Sequence, residues 1–378
     1  MAKVALLQKY IPQYRRPLSK LLSEDPALDL RLLCDSHLGN GMSGLEASLD
    51  QLDQLDVRPV QVHYWLNGRL IWIDGVIDHL SRERYDAVVF EIGWPILSNI
   101  PLALYCRTQG IKLIPWTKGI AEDGRERNVL YQWYERQFLK LCDAYLVYGD
   151  VSAKYLQRHG CSPERIFVAQ NTIHVTRILE SLDEARDQAR TIQADLGLDG
   201  RPVVGYFGRM ASHKDPVGLL KAYLMVRERG VDAQFLAAGS GPLSSTLRER
   251  AAESPYEDDI AVIDEVPQGE EGGYFLTMDV FLGGRNAGLS VLEAMAYGRA
   301  IVFYPEHRPE TELIEDEVNG IVADSRTKEA LADAICETVQ HQKIQKLGER
   351  ARQTVKSEAT IEKMANSFKN AIQYVVNE

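Results

Sequence analysis

Short apolar runs alternate with amphipathic stretches through the first half of the chain. The stretches between the runs place apolar residues three or four positions apart, as at Leu130, Tyr134 and Phe138, which is typical of helices. Mostly apolar strands that alternate with helices indicate a parallel sheet with helices on both faces. The predicted strands of this half lie at residues 4–7, 28–34, 60–65, 87–90, 111–115 and 144–148.

The same rhythm restarts after a polar stretch at residues 181–201. Because the alternation repeats, we predict an α/β protein with two Rossmann-like, doubly wound domains that face each other across a cleft, joined by a linker near residues 170–200. Ligands of such domains bind at the carboxyl ends of the strands. The predicted strands of this half lie at residues 203–207, 234–238, 260–263, 279–282 and 300–303.

Composition and charge exclude several classes of protein. The chain has 378 residues, 45% of them hydrophobic and 26% charged, which is ordinary for two globular domains. Residues 1–170 carry 20 basic and 20 acidic residues, so the net charge of −11 lies in the second half and disfavours nucleic-acid binding. Neither a membrane span of about 20 apolar residues nor a secretory leader is predicted. Five cysteines without C-x-x-C spacing argue against zinc and disulfides, and we expect a cytoplasmic protein.

The segment 205–215 combines a strand end, two cations and a helix start. Gly208 follows the predicted strand, and Arg209 and Lys214 precede a helix that we expect to begin near Asp215 and Pro216. Asp suits the N-cap of a helix, and Pro suits its first turn. Two cations beside the N–H groups of a helix N-terminus favour an anion such as phosphate or diphosphate. The alternative is that Arg209 and Lys214 are only surface charges.

A glycine-rich turn at residues 283–288 leads into another helix, predicted to begin near Leu289. Glycine lets the backbone come close to a ligand, and the helix N-terminus again favours an anion. Glu293 lies one turn into this helix, where a carboxylate can accept hydrogen bonds from sugar hydroxyls. The alternative is that Glu293 only complements the helix dipole.

Taken in order, these segments resemble the retaining GT-B glycosyltransferases of family 4. Each matching piece is weak alone, but the ordered set is specific. In the second half the pieces are the turn at 208–214 and residues 238–242, 288–298, 319–322 and 361–376; in the first half they are residues 142–149 and 166–172. The resemblance implies an acceptor-binding domain at 1–175, a nucleotide-sugar-binding domain at 195–360, and a last helix at 361–378 that crosses back to the first domain.

The resemblance also implies a reaction. We expect a hexosyltransferase of carbohydrate or polysaccharide biosynthesis that uses a nucleotide diphosphate-sugar and retains the anomeric configuration. In the family, the residues that match Arg209 and Lys214 hold the diphosphate and the glutamate that matches Glu293 binds the ribose. The cations would stabilise the charge of the leaving diphosphate, so we expect neither a cofactor nor a divalent metal. Further donor contacts are expected from Gly208, Arg285, Asn286, Gly288, Leu289 and Ser290.

Three positions depart from the family pattern. Arg285 stands where the family usually has a glutamate near the transferred sugar, so Asn286 and backbone groups are expected to help there. Lys118 occupies the position that best fits a family histidine. The loop 8–16 lacks the glycine pair that many members carry after the first strand. On the acceptor side we expect contacts from Tyr14, Arg15, Trp94, Lys118 and Gly119.

Because of these departures, two alternatives stay open beside the active transferase. One is a degenerate GT-B protein that binds a nucleotide or glycan without transfer, and the other is a GT-B sugar-nucleotide epimerase. The expected acceptor is a glycan, a lipid-linked sugar or a small molecule. The first half also contains a mixed aromatic and basic cluster. One interpretation is that this cluster contacts the inner face of a membrane peripherally, and the competing interpretation is that it packs in the core. Its members are Arg125, Arg127, Tyr131, Trp133, Tyr134, Arg136, Phe138 and Lys140.

Overall fold

The computed structural model describes residues 1–35, 55–66, 70–92, 96–118, 129–306, 308–340 and 343–377. The chain divides into two compact units. Unit 1 contains Met1–Asn171 and Ile361–Glu378, and unit 2 contains Thr172–Thr360. The last helix of the chain therefore belongs to the same compact unit as the first strand.

Unit 1 is built on a mostly parallel sheet. Its strands are β1 (Ala2–Leu7), β2 (Leu28–Asp35), β3 (Val57–Trp65), β4 (Leu70–Asp74), β5 (Ala87–Glu91), β6 (Lys112–Thr117), β7 (Tyr145–Val147) and β8 (Ile166–Val168). Their spatial order is β4-β3-β2-β1-β5-β6-β7-β8. Neighbouring strands are parallel except for the antiparallel pair β3 and β4.

Helices cover both faces of the unit 1 sheet. They are α1 (Arg16–Ser23), α2 (Val76–Arg82), α3 (Asn99–Gln109), α4 (Val129–Leu139), α5 (Asp150–Arg158) and the last helix of the chain, α14 (Ile361–Asn377). Successive strand residues point to opposite faces, so Val4 and Leu6 lie in the core with α1 and α14. Ala5 and Leu7 lie in the other core, beneath α2, α3, α4 and α5.

Unit 2 has a second parallel sheet. Its strands are β9 (Val203–Phe207), β10 (Gln234–Ala238), β11 (Ile260–Ile263), β12 (Val280–Gly283), β13 (Ala300–Phe303) and β14 (Ile321–Val322). Their order is β11-β10-β9-β12-β13-β14. β9 and β12 are neighbours in the centre of the sheet. The strands that follow β9 lie on one side of this pair, and those that follow β12 lie on the other. The loops after β9 and β12 therefore lie side by side at the carboxyl edge of the sheet.

Helices also cover both faces of the unit 2 sheet. They are α6 (Val175–Glu180), α7 (Leu182–Asp195), α8 (Pro216–Glu228), α9 (Ser244–Ala252), α10 (Glu271–Thr277), α11 (Leu289–Ala296), α12 (Lys328–Gln340) and α13 (Ile344–Glu358). One core contains Leu219 of α8 and Ile335 of α12. The other contains Phe275 of α10 and Val291 of α11, and it also takes in Ile192 of α7.

The α/β class and the two parallel sheets are confirmed, with corrections in detail. The sequence pattern did not predict β4, β8 or β14. The boundary between the units, at Asn171 and Thr172, falls within the linker predicted near residues 170–200, but most of that segment forms α6 and α7. Helix α7 packs closely on α10 within unit 2, so the segment is part of that unit.

Candidate functional site

The loops that follow β9 and β12 surround a cavity of about 130 Å³ in unit 2. The cavity lies where the strand order reverses, which is where open α/β sheets bind ligands. It brings together six residues that the sequence singled out, namely Gly208, Arg209, Lys214, Gly288, Leu289 and Ser290. The rest of its lining is Tyr206, Phe281, Gly283, Gly284, Ala287 and Val291.

Close backbone contacts define the walls of this cavity. A Cβ atom on Gly284 would collide with the carbonyl oxygen of Lys214, so only glycine lets the two loops approach this closely. Gly239, at the end of β10, has a φ of +126° and lies against the backbone of Gly208 in the same way. The glycines therefore set the distance between the loops that carry the candidate residues.

The turn before α8 is organised by Asp215. This residue has a φ of 55° and is the N-cap, and its Oδ1 accepts a hydrogen bond of 3.1 Å from the backbone N–H of Gly218. Pro216 is the first residue of the helix. The predicted N-cap and helix start are therefore confirmed. Arg285 Nε lies 3.4 Å from Asp215 Oδ2, which joins this turn to the loop after β12.

Lys214 points towards the loop that follows β12. Its ammonium group donates a hydrogen bond to the carbonyl oxygen of Asn286. A Cβ on Gly288 would lie 3.4 Å from Lys214 Nζ, so the charge stands directly beside the start of α11. Lys214 is half-buried and Arg209 is exposed. Both side chains border the same cavity.

The N-terminus of α11 adds partial positive charge to the cavity. Gly288 is the N-cap of this helix and has no side chain to cap it. The first N–H groups of a helix have no partner inside the helix, and together with the helix dipole they attract anions. The cavity therefore combines two full cations with a helix N-terminus, an arrangement suited to a phosphate or diphosphate.

Asn286 is held in place by several neighbours. It has a φ of 54°, and its backbone N–H donates to Glu306 Oε1 at 2.9 Å. The N–H of Ala287 donates to Glu306 Oε2 at 3.3 Å. The side-chain amide of Asn286 donates to the carbonyl oxygen of His213 at 2.9 Å, and its Oδ1 accepts from Arg308. The Asn286 side chain thus ties loops together, and its predicted contact with a sugar stays a prediction.

Sequence reasoning missed Glu306 and Arg308. Both follow β13, and neither belongs to a recognisable motif. The available signal was positional, because the carboxyl ends of neighbouring parallel strands meet at one edge of a sheet. This rule alone would have placed charged residues that follow β13 beside the loop after β12.

Glu293 lies on α11, outside the lining of the cavity. The side chain is half-buried. Burial and the negative charge of Glu271 raise the pKa of Glu293 to about 7, because both disfavour the ionised carboxylate. Glu293 therefore changes charge near neutral pH, and its predicted contact with ribose stays a prediction.

Two predicted acceptor residues of unit 1 lie in an aromatic cluster. Arg15 is 3% exposed, and its guanidinium lies 4.7 Å from the ring centre of Trp116 and 5.3 Å from that of Tyr148. It also lies over the ring of Tyr14 and donates to Asn171 Oδ1. This position gives Arg15 a packing role inside unit 1, and its contact with an acceptor stays a prediction.

The remaining acceptor-side residues are only partly covered by the structure. Lys118 is half-buried, and its carbonyl oxygen accepts a hydrogen bond from Ser152 Oγ. Gly119 and Trp94 lie outside the described residues.

The members of the aromatic and basic cluster around α4 differ in how exposed they are. Trp133 is 63% exposed, whereas Phe138 is buried against Phe90 with ring centres 6.1 Å apart. Phe138 is therefore a core residue, as the competing interpretation held. Arg125, Arg127 and the side chains of Tyr131 and Tyr134 lie outside the described residues. In the ranges that the structure describes, no helix has the length and hydropathy to span a membrane.

Comparisons with known proteins agree with the fold. Residues 188–354 match the family model described as glycosyl transferases group 1. The α-D-kanosaminyltransferase of Streptomyces kanamyceticus is 26% identical over 291 residues, which are 72% of this chain and 72% of that protein.

Solved structures are similar over nearly the whole chain. A glycosyltransferase from Rickettsia africae has a TM-score of 0.76 at 13% identity, over 100% of this chain and 99% of that one. HepE of Anabaena, solved in complex with UDP, has a TM-score of 0.72 at 14% identity, over 98% of both chains. The fold is therefore GT-B. Together, the family model matched within unit 2 and the similarity to a known transferase support a glycosyltransferase.

Proposed function

We propose that the protein is a retaining glycosyltransferase of family 4 type that takes a hexose from a UDP-sugar. One observation carries the proposal: Arg209, Lys214 and the N-terminus of α11 converge on a single cavity of unit 2. The similarity to HepE, a protein solved with UDP bound, supports uracil as the base. Retention is supported by the resemblance of residues 288–298 to retaining enzymes.

The proposed chemistry concerns the leaving group. Negative charge grows on the diphosphate as the bond to the anomeric carbon breaks, and fixed cations and N–H dipoles stabilise that charge. Lys214 and Arg209 supply the cations, and the backbone at Gly288, Leu289 and Ser290 supplies the N–H groups. Loss of one such partner typically costs about 3–4 kcal/mol of transition-state stabilisation. In this proposal the reaction needs neither a divalent metal nor a cofactor.

The other proposed donor contacts rest on the resemblance to the family. Glu293 binds the ribose hydroxyls through its carboxylate. Gly208 lets the donor approach the backbone, and Arg285, which is 53% exposed, contacts the transferred sugar. Asn286 contributes through its backbone, because its side chain already joins His213 and Arg308.

The acceptor belongs to unit 1 in this proposal. Tyr14 and Lys118 are half-buried, with Lys118 at the carboxyl end of β6, the edge at which a parallel sheet presents ligand contacts. The acceptor is a sugar-containing glycan, lipid-linked sugar or small molecule. If the acceptor is a glycan or a small molecule, we propose a location in the cytoplasm. If the acceptor is a lipid-linked sugar, we propose a location at the inner face of the membrane.

Arg285 supports a second candidate function. A guanidinium in place of the family's carboxylate reverses the charge near the transferred sugar, which favours a protein that binds a nucleotide sugar without transferring it. The epimerase alternative makes a different product, a free or nucleotide-linked sugar of inverted configuration at one carbon.

A donor scan followed by product analysis separates these functions. The thermal shift of the protein is measured with UDP-, GDP-, ADP- and dTDP-sugars in EDTA, since a ligand at about 100 times its Kd stabilises the fold by about 2.7 kcal/mol. The selected donor is then incubated with sugar acceptors, and the anomeric configuration of the product is read by NMR. A product that keeps the donor's configuration is expected. Binding without product would favour the inactive protein, and inversion would contradict retention.

A further inference from the structure

Glu306 is a buried carboxylate next to the candidate donor site but outside its cavity. The side chain is 6% exposed, and its two oxygens accept hydrogen bonds from the N–H groups of Asn286 at 2.9 Å and Ala287 at 3.3 Å. Arg308 Nε lies 3.5 Å from Glu306 Oε2. A buried charge is costly unless it is paired and hydrogen-bonded, and these contacts satisfy the carboxylate of Glu306 against the loop after β12.

The loop that Glu306 contacts is in an unfavourable conformation. Asn286 has a φ of 54°, in the left-handed region that most L-residues avoid and that Asn adopts more readily than they do. Glu306 holds its backbone N–H, Arg308 holds its Oδ1, and the carbonyl of His213 accepts from its side-chain amide. A strained residue persists only where the surroundings fix it in this way, and such strain is found at functional sites.

The strained conformation has a direct consequence for the donor site. It turns the carbonyl oxygen of Asn286 towards Lys214, whose ammonium group donates a hydrogen bond to it. If Asn286 relaxed to a negative φ, this carbonyl would turn away and the ammonium group would lose its anchor beside Gly288.

The loop that carries Glu306 is itself fixed. Thr311 Oγ1 donates to the carbonyl oxygen of Glu306 at 2.9 Å, and the N–H of Arg308 donates to Thr311 Oγ1 at 3.2 Å. Arg326 Nε donates to the carbonyl oxygen of Pro305 at 2.9 Å. These hydrogen bonds hold the backbone on either side of the carboxylate, as is needed for a group that positions another.

We propose that Glu306 is a positioning residue of the donor site, which places the Lys214 ammonium group through the backbone of Asn286. This proposal rests on the proposed function, because it assumes that Lys214 binds the diphosphate. Glu306 itself does not contact the donor. It selects the loop conformation in which the cation meets the phosphates.

The test is a double-mutant cycle between Glu306 and Lys214, with UDP titrated calorimetrically. Glu306→Gln keeps the shape but turns an NH₂ group towards one of the two backbone N–H groups and removes the charge. We expect the Kd for UDP to rise about tenfold in this variant. In the Lys214→Ala background the same change should alter Kd less than about twofold, because the cation that Glu306 positions is gone. Glu228→Gln, an exposed change on α8, is the matched control and should leave Kd unchanged.

The outcomes separate the positioning role of Glu306 from the proposed function of the protein. Equal losses in both backgrounds would make Glu306 a general structural residue and overturn the positioning role. An unchanged Kd in Glu306→Gln would overturn it as well, while the proposed function would stand on the binding by the wild type. Failure of the wild type to bind UDP would overturn both. If Glu306→Gln does not fold, Arg308→Lys replaces it in the same cycle, with an expected loss of about threefold.

Discussion

At the scale of single residues, Lys214 and Glu293 lie in different surroundings. Lys214 donates a hydrogen bond to the carbonyl of Asn286 and borders the cavity. Glu293 is disfavoured as an anion by burial and by Glu271. Lys214 is therefore placed to meet a phosphate, whereas Glu293 changes charge near pH 7.

The raised pKa of Glu293 predicts how stability depends on pH. The carboxyl has an ordinary pKa of 4.5 and a pKa of about 7 in the folded protein, so the folded state favours the protonated form. Its contribution to stability is fully present below about pH 4.5 and is lost as pH rises to about 7. Glu293→Gln is neutral throughout and should lack this loss. Urea unfolding of both proteins across this range measures the difference, with the exposed Glu249→Gln as control. Parallel curves for wild type and Glu293→Gln would contradict the shift.

The same group predicts how donor binding depends on pH. If the ionised carboxylate accepts hydrogen bonds from the ribose, the affinity for UDP-glucose should rise between about pH 6 and about pH 8. UDP-glucose is the suitable ligand because its diphosphate diester does not titrate in this range. Glu293→Gln should bind more weakly at the higher pH and show no such rise. A rise that persists in the variant would assign it to another group.

At the scale of elements, the loop after β12 depends on Gly284. An alanine there would push its Cβ into the carbonyl of Lys214 and move the two loops apart. Gly284→Ala should therefore lower both the stability and the affinity for UDP. Gly230→Ala is the control, because Gly230 has a φ of +81° but open space around it, so it should lose stability alone. Normal UDP binding by Gly284→Ala would show that the close approach is not needed.

Elements with strong apolar periodicity were predictable from sequence, and elements without it were not. β12 and the start of α11 were predicted because an apolar run ends in glycines before a helical pattern. Helix α7 was missed because it packs through small residues such as Ala185 and Ala189, which give a weak pattern. A Cβ on Gly273 of α10 would crowd the α7 helix, so the two helices meet through small residues.

Some residues of the candidate site were likewise predictable from the sequence, and others were not. Arg209 and Lys214 were found because cations next to a predicted strand end and helix start indicate an anion site. Glu306 and Arg308 were not found, because their role depends on which strands are neighbours in the sheet. The burial of Arg15 could not be foreseen either. It depends on Trp116 and Tyr148, which lie far from Arg15 in the sequence and surround it only in the folded sheet.

At the scale of the whole molecule, the chain forms two units, and its last helix belongs to the first of them. Met364, Phe368 and Ile372 of α14 are buried in the core with α1 and β1. Phe368 meets Trp116 edge-on, with ring centres 4.9 Å apart. The C-terminal segment is therefore part of the core of unit 1.

This arrangement predicts that α14 is needed for the stability of unit 1. Phe368→Ala should lower the free energy of unfolding by about 3–5 kcal/mol, the usual cost of removing a buried aromatic ring. Val376→Ala, at an exposed position of the same helix, should change it by less than about 0.5 kcal/mol. Because UDP binds in unit 2 in our account, the Kd for UDP should be unchanged in folded Phe368→Ala. A stability equal to that of Val376→Ala would contradict the packing of α14.

The central claim is that unit 2 binds the diphosphate of a nucleotide sugar through Lys214 without a metal. The most direct test is a calorimetric titration of UDP-glucose in EDTA into the wild type, Lys214→Ala and Lys221→Ala, an exposed lysine change on α8. We predict binding by the wild type and by Lys221→Ala, and a loss of at least about tenfold in Lys214→Ala, which should still fold and unfold cooperatively. Equal affinity in all three proteins, or binding by the wild type only after a divalent metal is added, would contradict the account.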